Sequence, residues 1–570
     1  MSTRLAIREY DKDCANSLAK HGFHPVVARL FAARGISSPE EASPGIEMLH
    51  HFTKLKGAVD AAKILADAIE QNKLVVVAGD FDCDGCCGTT IFLRGMRMMG
   101  AGNINFIIPD RVKMGYGFSP GLVNLAKEKF NPDLMITVDC GISNVDGVKE
   151  ANRLGIPVII TDHHLAGSPP LPGALCIVNP NQPGCPFPSK NLCGAGVMFY
   201  VMLALRAELE SRGYFAGKKK PNLGSLLDIV ALATIADVVK LDRNNRILVK
   251  RGLERIRAGF ACEGLNSLMF IARKTPSRLT SGDLGFSIGP RLNAAGRIDD
   301  MSLGVKCLST DDPELAMQFA VKLNEINEQR KEIGVDMQVD AEDMIAAMQT
   351  DAAGGVCLFN PSFHQGIAGI VASRIKDRLN RPTIVFAKTD DGKLKGSGRS
   401  ISGLHLRDTI DLIDKRYPGL IQSFGGHAAA CGTTIMETDF DRFSKAFNDV
   451  CTELLSDFDL SAVIETDGEL PIEHVSIETV ESIEKEIWGQ GFPQPEFCDE
   501  FKVDSQRIVG GKHTKMVLLK DGVAIDAIWF SMDRPVPEKI RAVYSPSINE
   551  YNGKRSVQVI IHQVEVGVNE

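Results

Sequence analysis

The chain has 570 residues, of which 44% are hydrophobic and 24% are charged, and its formal net charge at pH 7 is −8. One hydrophobic core cannot serve this length, so we expect about three or four domains in an ordinary globular protein, not a disordered or fibrous one. The acidic total argues mildly against a protein that coats nucleic acid, although a local basic groove can coexist with it. The sequence shows neither a membrane-spanning apolar run nor a signal peptide, which predicts a cytoplasmic protein without membrane contact.

Fourteen cysteines occur at irregular intervals, several of them inside apolar segments, as is typical of reduced thiols in the cytosol. Cys83, Cys86 and Cys87 are an alternative zinc site, but no second CxxC pair follows at zinc-finger spacing. Composition therefore leaves the substrate open.

The first half of the chain repeats one pattern, in which a short β-rich apolar run precedes polar or glycine residues and then a helical stretch. Helical spacing of apolar residues is found at 121–129 and 145–154. The pattern predicts a doubly wound, largely parallel α/β sheet with right-handed crossovers. The apolar runs are 74–78, 104–108, 134–138, 158–160 and 175–178.

Polar residues follow four of these runs, at the points where the predicted strands end. Open parallel sheets place their ligand crevice at the carboxyl ends of the strands, so these side chains should converge. Each one alone is more commonly a helix cap or a surface group, but four strand ends in succession favour a metal site. The residues are Asp80, Asp82, Asp84, Asp110, Arg111, Asp139, Asp162, His163 and His164.

The first strand end has the sequence GDFDCDG at 79–85 and crowds three carboxylates into five residues. Carboxylates this close repel one another unless hard cations such as Mg²⁺ or Mn²⁺ neutralise them. Asp237 extends the set because it interrupts the apolar, helix-like run at 226–241, where an unpaired carboxylate is costly. We therefore interpret Asp237 as a metal ligand.

Four motifs resemble the ordered motifs of the DHH phosphoesterase superfamily, namely GDFDCDG, TVDCG at 137–141, TDHH at 161–164 and ATIADVV at 233–239. GPRLNAAGR at 289–297 and FGGH at 424–427 are similar to the RecJ branch, the exonucleases specific for single-stranded DNA. The match runs from about residue 50 to the C-terminus. Phe81 and Cys83 stand where the family often has Tyr and Ala, but neither position supplies a ligand, and every expected ligand is present.

The resemblance implies a multidomain α/β fold, with a DHH parallel-sheet domain, a long connecting helix, a DHHA1 α/β domain and a C-terminal OB-fold β-barrel. The residues agree, because 313–348 reads as a long helical spacer and 356–359, 370–379 and 383–387 read as a second α/β unit. The expected parts are an N-terminal segment packing on the core at 1–50, the DHH domain at 51–310, the connecting helix at 311–350, the DHHA1 domain at 351–456 and the OB domain at 457–570.

The last part of the chain is β-rich at 514–520, 523–530, 540–551 and 556–566, with hairpin turns expected at 521–522 and 552–553. Basic residues with Trp529 and Tyr544 suit a barrel that follows a phosphate backbone and stacks bases. The alternative is a plain β-barrel whose aromatic side chains belong to the core.

In the family, two divalent ions, Mn²⁺ or Mg²⁺, activate a water and stabilise the leaving oxygen during phosphodiester hydrolysis. His164 keeps two alternative roles, because it could bind metal or hold the scissile phosphate or leaving group as a donor. Carried over by position, the metal ligands are Asp80, Asp82, Asp84, Asp139, His163 and Asp237, with Asp139 as the bridge between ions. The catalytic set is Asp82, Asp84, Asp139, His163 and His164.

Basic and glycine-rich segments outside this cluster are expected to bind the substrate, since guanidinium groups clamp phosphate and glycines permit close backbone approach. For the arginines of 289–297, a surface turn with incidental arginines is the alternative. If Ser397, Arg399 and Arg297 hold a terminal 5′ phosphate, digestion proceeds from 5′ to 3′. The candidate substrate-binding residues are Arg111, Tyr116, Arg291, Arg297, Ser397, Arg399 and His427.

The resemblance therefore implies a 5′-to-3′ exonuclease on single-stranded DNA that releases 5′-mononucleotides in recombination and repair, with helicases and single-stranded-DNA-binding protein as partners. A monomer is expected, because the domain set already builds both walls of a groove. One alternative is a DHH-family phosphodiesterase or nanoRNase for short oligonucleotides or small phosphoesters, although such enzymes are usually shorter and lack the barrel. Another is a scaffold without catalysis, which the complete ligand set disfavours.

Overall fold

The computed structural model describes residues 4–111, 114–167, 169–348, 354–456, 463–551 and 553–565. Several sequence expectations lie outside this part of the chain. They are the connecting helix beyond 348, the domain boundary at 457, turn residue 552 and the strand end at 566.

The N-terminal segment consists of a short strand and small helices that lead into the first sheet. Its elements are β1 (Arg4–Ile7), α1 (Lys12–Lys20), α2 (Pro25–Ala32), α3 (Pro39–Ala42) and α4 (Ala58–Glu70), with 3₁₀ turns at Ile46–Met48 and Phe52–Lys54. The helices begin at good N-caps, because Asp11 accepts backbone N–H bonds before α1 and Ser38 does so before α3.

The first sheet has five parallel strands, as the apolar runs predicted. The strands are β2 (Val75–Gly79), β3 (Ile104–Ile107), β4 (Leu134–Val138), β5 (Val158–Thr161) and β6 (Cys176–Val178). Their spatial order is β3-β2-β4-β5-β6. The strands are apolar on both faces because both faces are covered by helices.

Helices surround this sheet and continue beyond it. They are α5 (Cys83–Met98), α6 (Pro120–Phe130), α7 (Val145–Arg153), α8 (Gly194–Ser211), α9 (Leu227–Ala236), α10 (Arg243–Arg257), α11 (Glu263–Ile271), α12 (Ser281–Asp283), α13 (Gly289–Ile298) and α14 (Ser302–Ser309), with 3₁₀ turns at Leu223–Leu226 and Pro276–Arg278. A π-helical turn, Leu284–Ile288, joins α12 to α13. Val75 and Val77 face the core under α4, α5 and α8, whereas Val76 and Ala78 face the core under α6 and α7.

Two sequence interpretations of this region need correction. The apolar run at 226–241 is helical only to Ala236, and Asp237 caps the C-terminal end of α9 instead of interrupting its apolar face. The chain leaves the helix there because Val238 adopts a left-handed backbone with φ 58°. The segment GPRLNAAGR is a helix, α13, and not a surface turn.

A single long helix, α15 (Pro313–Ala347), leads to the second α/β unit, as predicted. The unit contains β7 (Val356–Phe359), α16 (Gln365–Leu379), β8 (Thr383–Lys388), β9 (Lys393–Arg399), α17 (Leu406–Arg416), β10 (Ser423–Gly426), β11 (Ala430–Met436) and α18 (Phe440–Leu454). The sheet order is β10-β11-β9-β8-β7, and only the β7 and β8 pair is parallel. Helix α16 begins at Gln365, five residues earlier than expected, so glycines 366 and 369 lie inside its first turns.

The C-terminal part forms a closed five-stranded barrel, the architecture expected of an OB-fold. The elements are β12 (Val463–Thr466), α19 (Ile477–Lys485), β13 (Phe497–Val509), β14 (His513–Lys520), β15 (Val523–Trp529), β16 (Lys539–Tyr551) and β17 (Lys554–Glu565), and a 3₁₀ turn at Ile472–His474. The barrel order is β13-β14-β15-β17-β16. Strand β13 was not predicted, because its second half lacks a clear apolar alternation.

The two aromatic residues expected to stack bases, Trp529 and Tyr544, differ in how deeply they are buried. Tyr544 is buried and donates its hydroxyl hydrogen bond to Asp499 at 2.6 Å, so it belongs to the core and cannot stack bases. Trp529 is half-buried and packs against the same core. Among the described residues, no helix combines the length and the apolar character needed to cross a membrane.

The N-terminal segment is fixed to the C-terminal part by a strand pair and a buried ion pair. Strand β1 pairs in parallel with β12, and Arg34 donates to both carboxylate oxygens of Asp467 at 2.9 and 3.0 Å. Both side chains are only 1% exposed. The Arg34 guanidinium also lies 4.9 Å from the ring centroid of Trp488.

Arg34→Met should destabilise the protein by about 3 kcal/mol, because it removes two hydrogen bonds and a positive charge from the buried Asp467 carboxylate. Urea unfolding followed by tryptophan fluorescence would measure this, since Trp488 reports on the site directly. Arg153→Met is the matched control, because Arg153 pairs with Glu150 on the surface, and its unfolding midpoint should equal that of the unmodified chain. Equal midpoints for Arg34→Met and the control would contradict the prediction.

Candidate metal centre and nucleic-acid interface

The carboxyl ends of three neighbouring strands, β2, β4 and β5, carry most of the predicted acids and histidines. Asp80 follows β2, Asp139 follows β4, and the segment 162–164 follows β5. Parallel strands end at one edge of the sheet, so the loops after them meet in one place. Asp237 reaches the same place from the end of α9, which packs against α5.

Two helix N-termini hold the acids of the first motif. Asp82 is the N-cap of α5, and its Oδ1 accepts hydrogen bonds from the backbone N–H groups of Asp84 and Gly85, both at 3.0 Å. The Asp84 carboxylate accepts bonds from the backbone N–H groups of Gly194 at 2.6 Å and Ala195 at 2.9 Å, where α8 begins. Helix N-termini favour negative charge, but burial still raises the pKa of Asp84 above its ordinary value.

Asp139 has a left-handed backbone with φ 62°, which is strained for a residue other than glycine. A Cβ atom at position 194 would lie 2.6 Å from Asp139 Cβ, so only Gly194 lets the start of α8 come this close. Burial and the neighbouring carboxylates, first Asp84 and then Asp82, raise the pKa of Asp139 well above its ordinary value. Backbone strain and unfavourable charge thus coincide at one residue.

Asp162 fixes the loop that carries the two histidines. Its Oδ1 accepts hydrogen bonds from the backbone N–H groups of His163 at 2.7 Å and His164 at 3.1 Å, and from His164 Nδ1 at 2.8 Å. Its Oδ2 accepts from the Ile142 N–H at 3.0 Å. Burial alone would raise the pKa of Asp162, but the hydrogen bond and charge of His164 hold it below its ordinary value. In turn, although burial lowers the pKa of His164, the bond to Asp162 raises it to about 8.

Two asparagines that sequence reasoning missed hold the same loop. Asn179 Nδ2 donates to the His164 carbonyl at 3.0 Å, and Asn181 Nδ2 donates to the His163 carbonyl at 2.6 Å. Both residues follow β6, so the strand-end rule that found the other polar residues could have found them. The same rule placed Asp162 at a strand end. That Asp162 positions the two histidines is shown only by its hydrogen bonds in the structure.

His163 stands among the carboxylates. Its Nε2 lies 3.0 Å from Asp139 Oδ1, 3.5 Å from Asp237 Oδ2 and 3.8 Å from Asp84 Oδ2. The potential ligand atoms fall into three overlapping groups, and within each group all atoms lie within 4.8 Å of one another. The groups are Asp80 with Asp82 and Asp139, Asp84 with His163 and Asp237, and Asp139 with His163 and His164.

The buried atoms of this cluster fit divalent cations. Burial and the charge of Asp82 raise the pKa of Asp80, burial and the charge of Asp84 raise that of Asp237, and burial lowers that of His163. Oxygen ligands with imidazole suit Mn²⁺ or Mg²⁺, and the groups found in the described residues contain no cysteine, against the zinc alternative. Four buried atoms of this cluster have no hydrogen-bond partner in the part of the chain that the structure describes, and a cation would satisfy them: Asp80 Oδ1, Asp139 Oδ1, His163 Nε2 and Asp237 Oδ2.

Three guanidinium groups from both α/β units crowd together beside this cluster. Arg111 follows β3, Arg297 lies on α13, and Arg399 ends β9. Burial, and then the charges of Arg111 and Arg399, lower the pKa of Arg297 to about 10. Burial likewise lowers the pKa of Arg399, with Arg111 as the second cause. An anion would relieve this repulsion, so the group fits a phosphate.

Local contacts hold these arginines in place. The Arg111 guanidinium lies 4.6 Å from the ring centroid of Phe81, and Arg297 Nη1 donates to the Gly366 carbonyl at 3.0 Å. Arg399 Nη1 is 3.4 Å from Ser397 Oγ, so the predicted serine lies with the arginines. The Arg297 bond also ties α13 to the start of α16.

A cleft of about 1230 Å³ separates the two α/β units next to the histidines. Tyr116 lines the cleft and donates its hydroxyl to the Asp139 carbonyl at 3.3 Å, while His427 lines it from the second unit. His405 and Arg407 also line it, and sequence reasoning missed both. His405 is the N-cap of α17 and Arg407 lies in its first turn, without a glycine-rich signal of the kind that marked His427.

Arg291 has a different environment from the other predicted arginines. Its Nε donates to Asn324 of α15 at 3.0 Å, and its Nη1 donates to the Ser287 carbonyl. The guanidinium is therefore engaged with the long helix. Its predicted contact with substrate stays a prediction.

Comparison with known proteins identifies the family. Family models match the chain as the DHH family, N-terminal domain, at 74–234, the DHHA1 domain at 332–453 and the RecJ OB domain at 466–563. The single-stranded-DNA-specific exonuclease RecJ of Dickeya dadantii (strain 3937) is 43% identical over 552 residues, which cover 95% of this chain and 96% of that protein. This chain belongs to the RecJ family.

Solved RecJ structures share the fold. The crystal structure of RecJ in complex with Mn²⁺ from Thermus thermophilus superimposes with a TM-score of 0.82 at 28% identity, covering 99% of this chain and 80% of that chain. The Mg²⁺ complex from the same organism gives a TM-score of 0.76 at 26% identity, covering 99% of this chain and 78% of that chain. The RecJ fold therefore extends over nearly the whole of this sequence.

Asp162→Asn should lower the affinity for Mn²⁺ by about 10-fold to 100-fold, because it loosens the orientation of both histidines without removing a candidate ligand. Titration of free Mn²⁺ by electron paramagnetic resonance would measure the affinity. Asp146→Asn, an exposed acid on α7, should bind Mn²⁺ as the unmodified chain does. Unchanged affinity in Asp162→Asn would show that the histidine loop keeps its position without this carboxylate.

Proposed function

We propose that this chain is an exonuclease specific for single-stranded DNA that hydrolyses phosphodiester bonds with two divalent ions, Mn²⁺ or Mg²⁺. The observation that carries the proposal is the cluster of buried, unpaired carboxylate oxygens around His163, next to three crowded guanidinium groups. Relatives of the same family that extend over the same length are named single-stranded-DNA-specific exonucleases. The RecJ structures with Mn²⁺ and Mg²⁺ support the choice of ions.

Asp80 and Asp82 are assigned to one ion, and Asp84, His163 and Asp237 are assigned to the other. Asp139 is assigned to both, because it belongs to the first ligand group and its Oδ1 lies 3.0 Å from His163 of the second. When bound, the ions would lower the pKa of a water, orient it for attack on phosphorus and stabilise the leaving oxygen.

The residues around the ligands orient the reacting groups. His164 Nδ1 is occupied by its bond to Asp162, and Nε2, which lies 3.4 Å from the hydroxyl of the cleft residue Tyr116, is assigned to donate to the scissile phosphate or the leaving oxygen. We prefer this role to metal binding. Tyr116 restrains the backbone of Asp139, and His427 of the second unit approaches the phosphate across the cleft.

The guanidinium group of Arg111, Arg297 and Arg399, together with Ser397, is assigned to the terminal 5′ phosphate. With that phosphate fixed, the next phosphodiester bond comes to the metal ligands, and each turnover releases one 5′-mononucleotide. Digestion then proceeds from 5′ to 3′. Arg291 has no assigned contact with this phosphate, since its guanidinium is engaged with α15.

Such an activity belongs to DNA recombination and repair in the cytoplasm, where helicases and single-stranded-DNA-binding protein would supply the strand. We also propose that the chain is organised as an N-terminal segment at 1–50, the DHH domain at 51–310, a connecting helix at 311–350, the DHHA1 domain at 351–456 and the OB domain at 457–570. A phosphodiesterase for short oligonucleotides is the second candidate, but the C-terminal barrel gives it no advantage. We further propose that the chain acts as a monomer.

Digestion of long single-stranded DNA labelled at either end tests the activity. The unmodified chain should release mononucleotides from the 5′ end with Mn²⁺ or Mg²⁺ and none with EDTA. Asp139→Asn keeps a residue that tolerates the left-handed backbone and should slow cleavage by at least about 100-fold. Asp60→Asn, an exposed acid on α4, is the control. Cleavage of dinucleotides while long DNA survives would favour the second candidate.

Arg399→Gln should reduce the preference for 5′-phosphorylated over 5′-hydroxyl ends by about 10-fold, because a charge-assisted hydrogen bond to the phosphate is lost. The ratio of kcat/KM for the two ends measures it. Arg416→Gln removes an exposed arginine of the same unit that pairs with Glu453, and its ratio should not change. Equal ratios in Arg399→Gln and the unmodified chain would remove this residue from the phosphate site.

A further inference from the structure

Phe286 is the most exposed large hydrophobic side chain among the described residues, with 86% of its surface accessible. It lies in the π-helical turn Leu284–Ile288, and turns of this kind are rare and frequently mark functional sites. The residues on both ends of the turn, Leu284 and Ile288, are buried, so the turn is anchored while its central phenyl group points into solvent.

The π-helical turn packs against the end of α9, directly before Asp237. A Cβ atom at Gly285 would lie 3.1 Å from Ile235 Cγ2, and one at Gly289 would lie 3.1 Å from Ala236 Cβ. Val238, on the other side of Asp237, is also exposed. Two exposed apolar side chains therefore lie on segments that adjoin one of the assigned metal ligands.

Helical geometry orders three parts of the site along one helical stretch. Pro290, Asn293 and Arg297 are separated by three and four residues, so they follow one side of α13, and Phe286 lies in the π-helical turn that leads into this helix. Arg297 belongs to the guanidinium group, and Asn293 Oδ1 accepts the Cys83 N–H bond at 2.8 Å, beside Asp82. At about 1.5 Å per residue of α13, Asn293 lies about 6 Å from the level of Arg297, and Phe286 lies further in the same direction, beyond the start of the helix.

We propose that Phe286 is a stacking platform for an unpaired base of the DNA strand, on the 3′ side of the scissile phosphate. The inference rests on the proposed exonuclease activity and on the 5′ phosphate lying at Arg297. Along the helical stretch, the phosphate site at Arg297, the metal ligands near Asn293 and the phenyl ring then follow in the order in which a strand passes them from 5′ to 3′. Stacking needs a free base face, which a duplex covers with neighbouring bases, so the platform favours single strands.

Phe286→Ala should lower kcat/KM on long 5′-phosphorylated single-stranded DNA by about 5-fold to 100-fold, the range for losing one base–aromatic stack. Phe286→Trp should retain the activity. Phe270→Ala is the matched control, because Phe270 is 73% exposed on α11, which packs against α14 and α15. All three variants should unfold at the same temperature as the unmodified chain, since both side chains are exposed. Equal kcat/KM in Phe286→Ala and Phe270→Ala would overturn the proposal.

Substrates with one abasic site locate the stacked base. An abasic site at one position 3′ of the scissile bond should slow the unmodified chain and Phe270→Ala, but should have no further effect in Phe286→Ala. The same abasic penalty in all three proteins would overturn the proposal, even if Phe286→Ala is slow. If the unmodified chain degrades no single-stranded DNA with Mn²⁺, the proposed function fails instead, whereas failure of the stacking platform leaves that degradation intact.

Discussion

Buried carboxylates that repel one another are concentrated at the carboxyl edge of the parallel sheet. Much of the surrounding structure holds these carboxylates in place. The backbone N–H groups at the start of α8 partly compensate the negative charge of Asp84, and Asp82 caps α5. Asp139 accepts a strained left-handed backbone, which the missing side chain of Gly194 accommodates. The remaining unpaired oxygens call for divalent cations, and such cations can activate a water and stabilise the leaving oxygen in phosphodiester hydrolysis.

The second α/β unit completes a site that the first unit cannot build alone. Arg297 of the first unit bonds to the Gly366 carbonyl at the start of α16, and a Cβ at Gly366 would lie 2.1 Å from the Arg297 carbonyl oxygen. Helix α15 spans the distance between the units, and its Asn324 accepts a hydrogen bond from Arg291. The crowded guanidinium groups thus depend on rigid contacts between units, because like charges separate unless packing holds them.

Buried polar contacts hold the barrel together and tie the segment before it to the N-terminal segment. Asp499 accepts hydrogen bonds from the Tyr544 hydroxyl and from Lys520, and Asp467 pairs with Arg34 of the N-terminal segment. Removing one partner from such a pair leaves a buried charge, so these contacts fix the arrangement strongly. The N-terminal segment therefore contacts the segment that precedes the barrel, and β1 and β12, far apart in sequence, form one small sheet.

The sequence by itself determined the parallel sheet, the long helix, most barrel strands and the residues expected to bind metal, because each depends on local periodicity and on the rule that strand ends converge. The structure brings Asp80, Asp139 and His163 together as that rule requires, and Asp237 joins them from the end of α9. Only the tertiary structure decided that Tyr544 is core and that Arg291 faces α15, because burial and partners depend on elements distant in sequence. It also decided the roles of Asp162, Asn179 and Asn181, since a hydrogen bond that orients a histidine leaves no periodic signal in the chain.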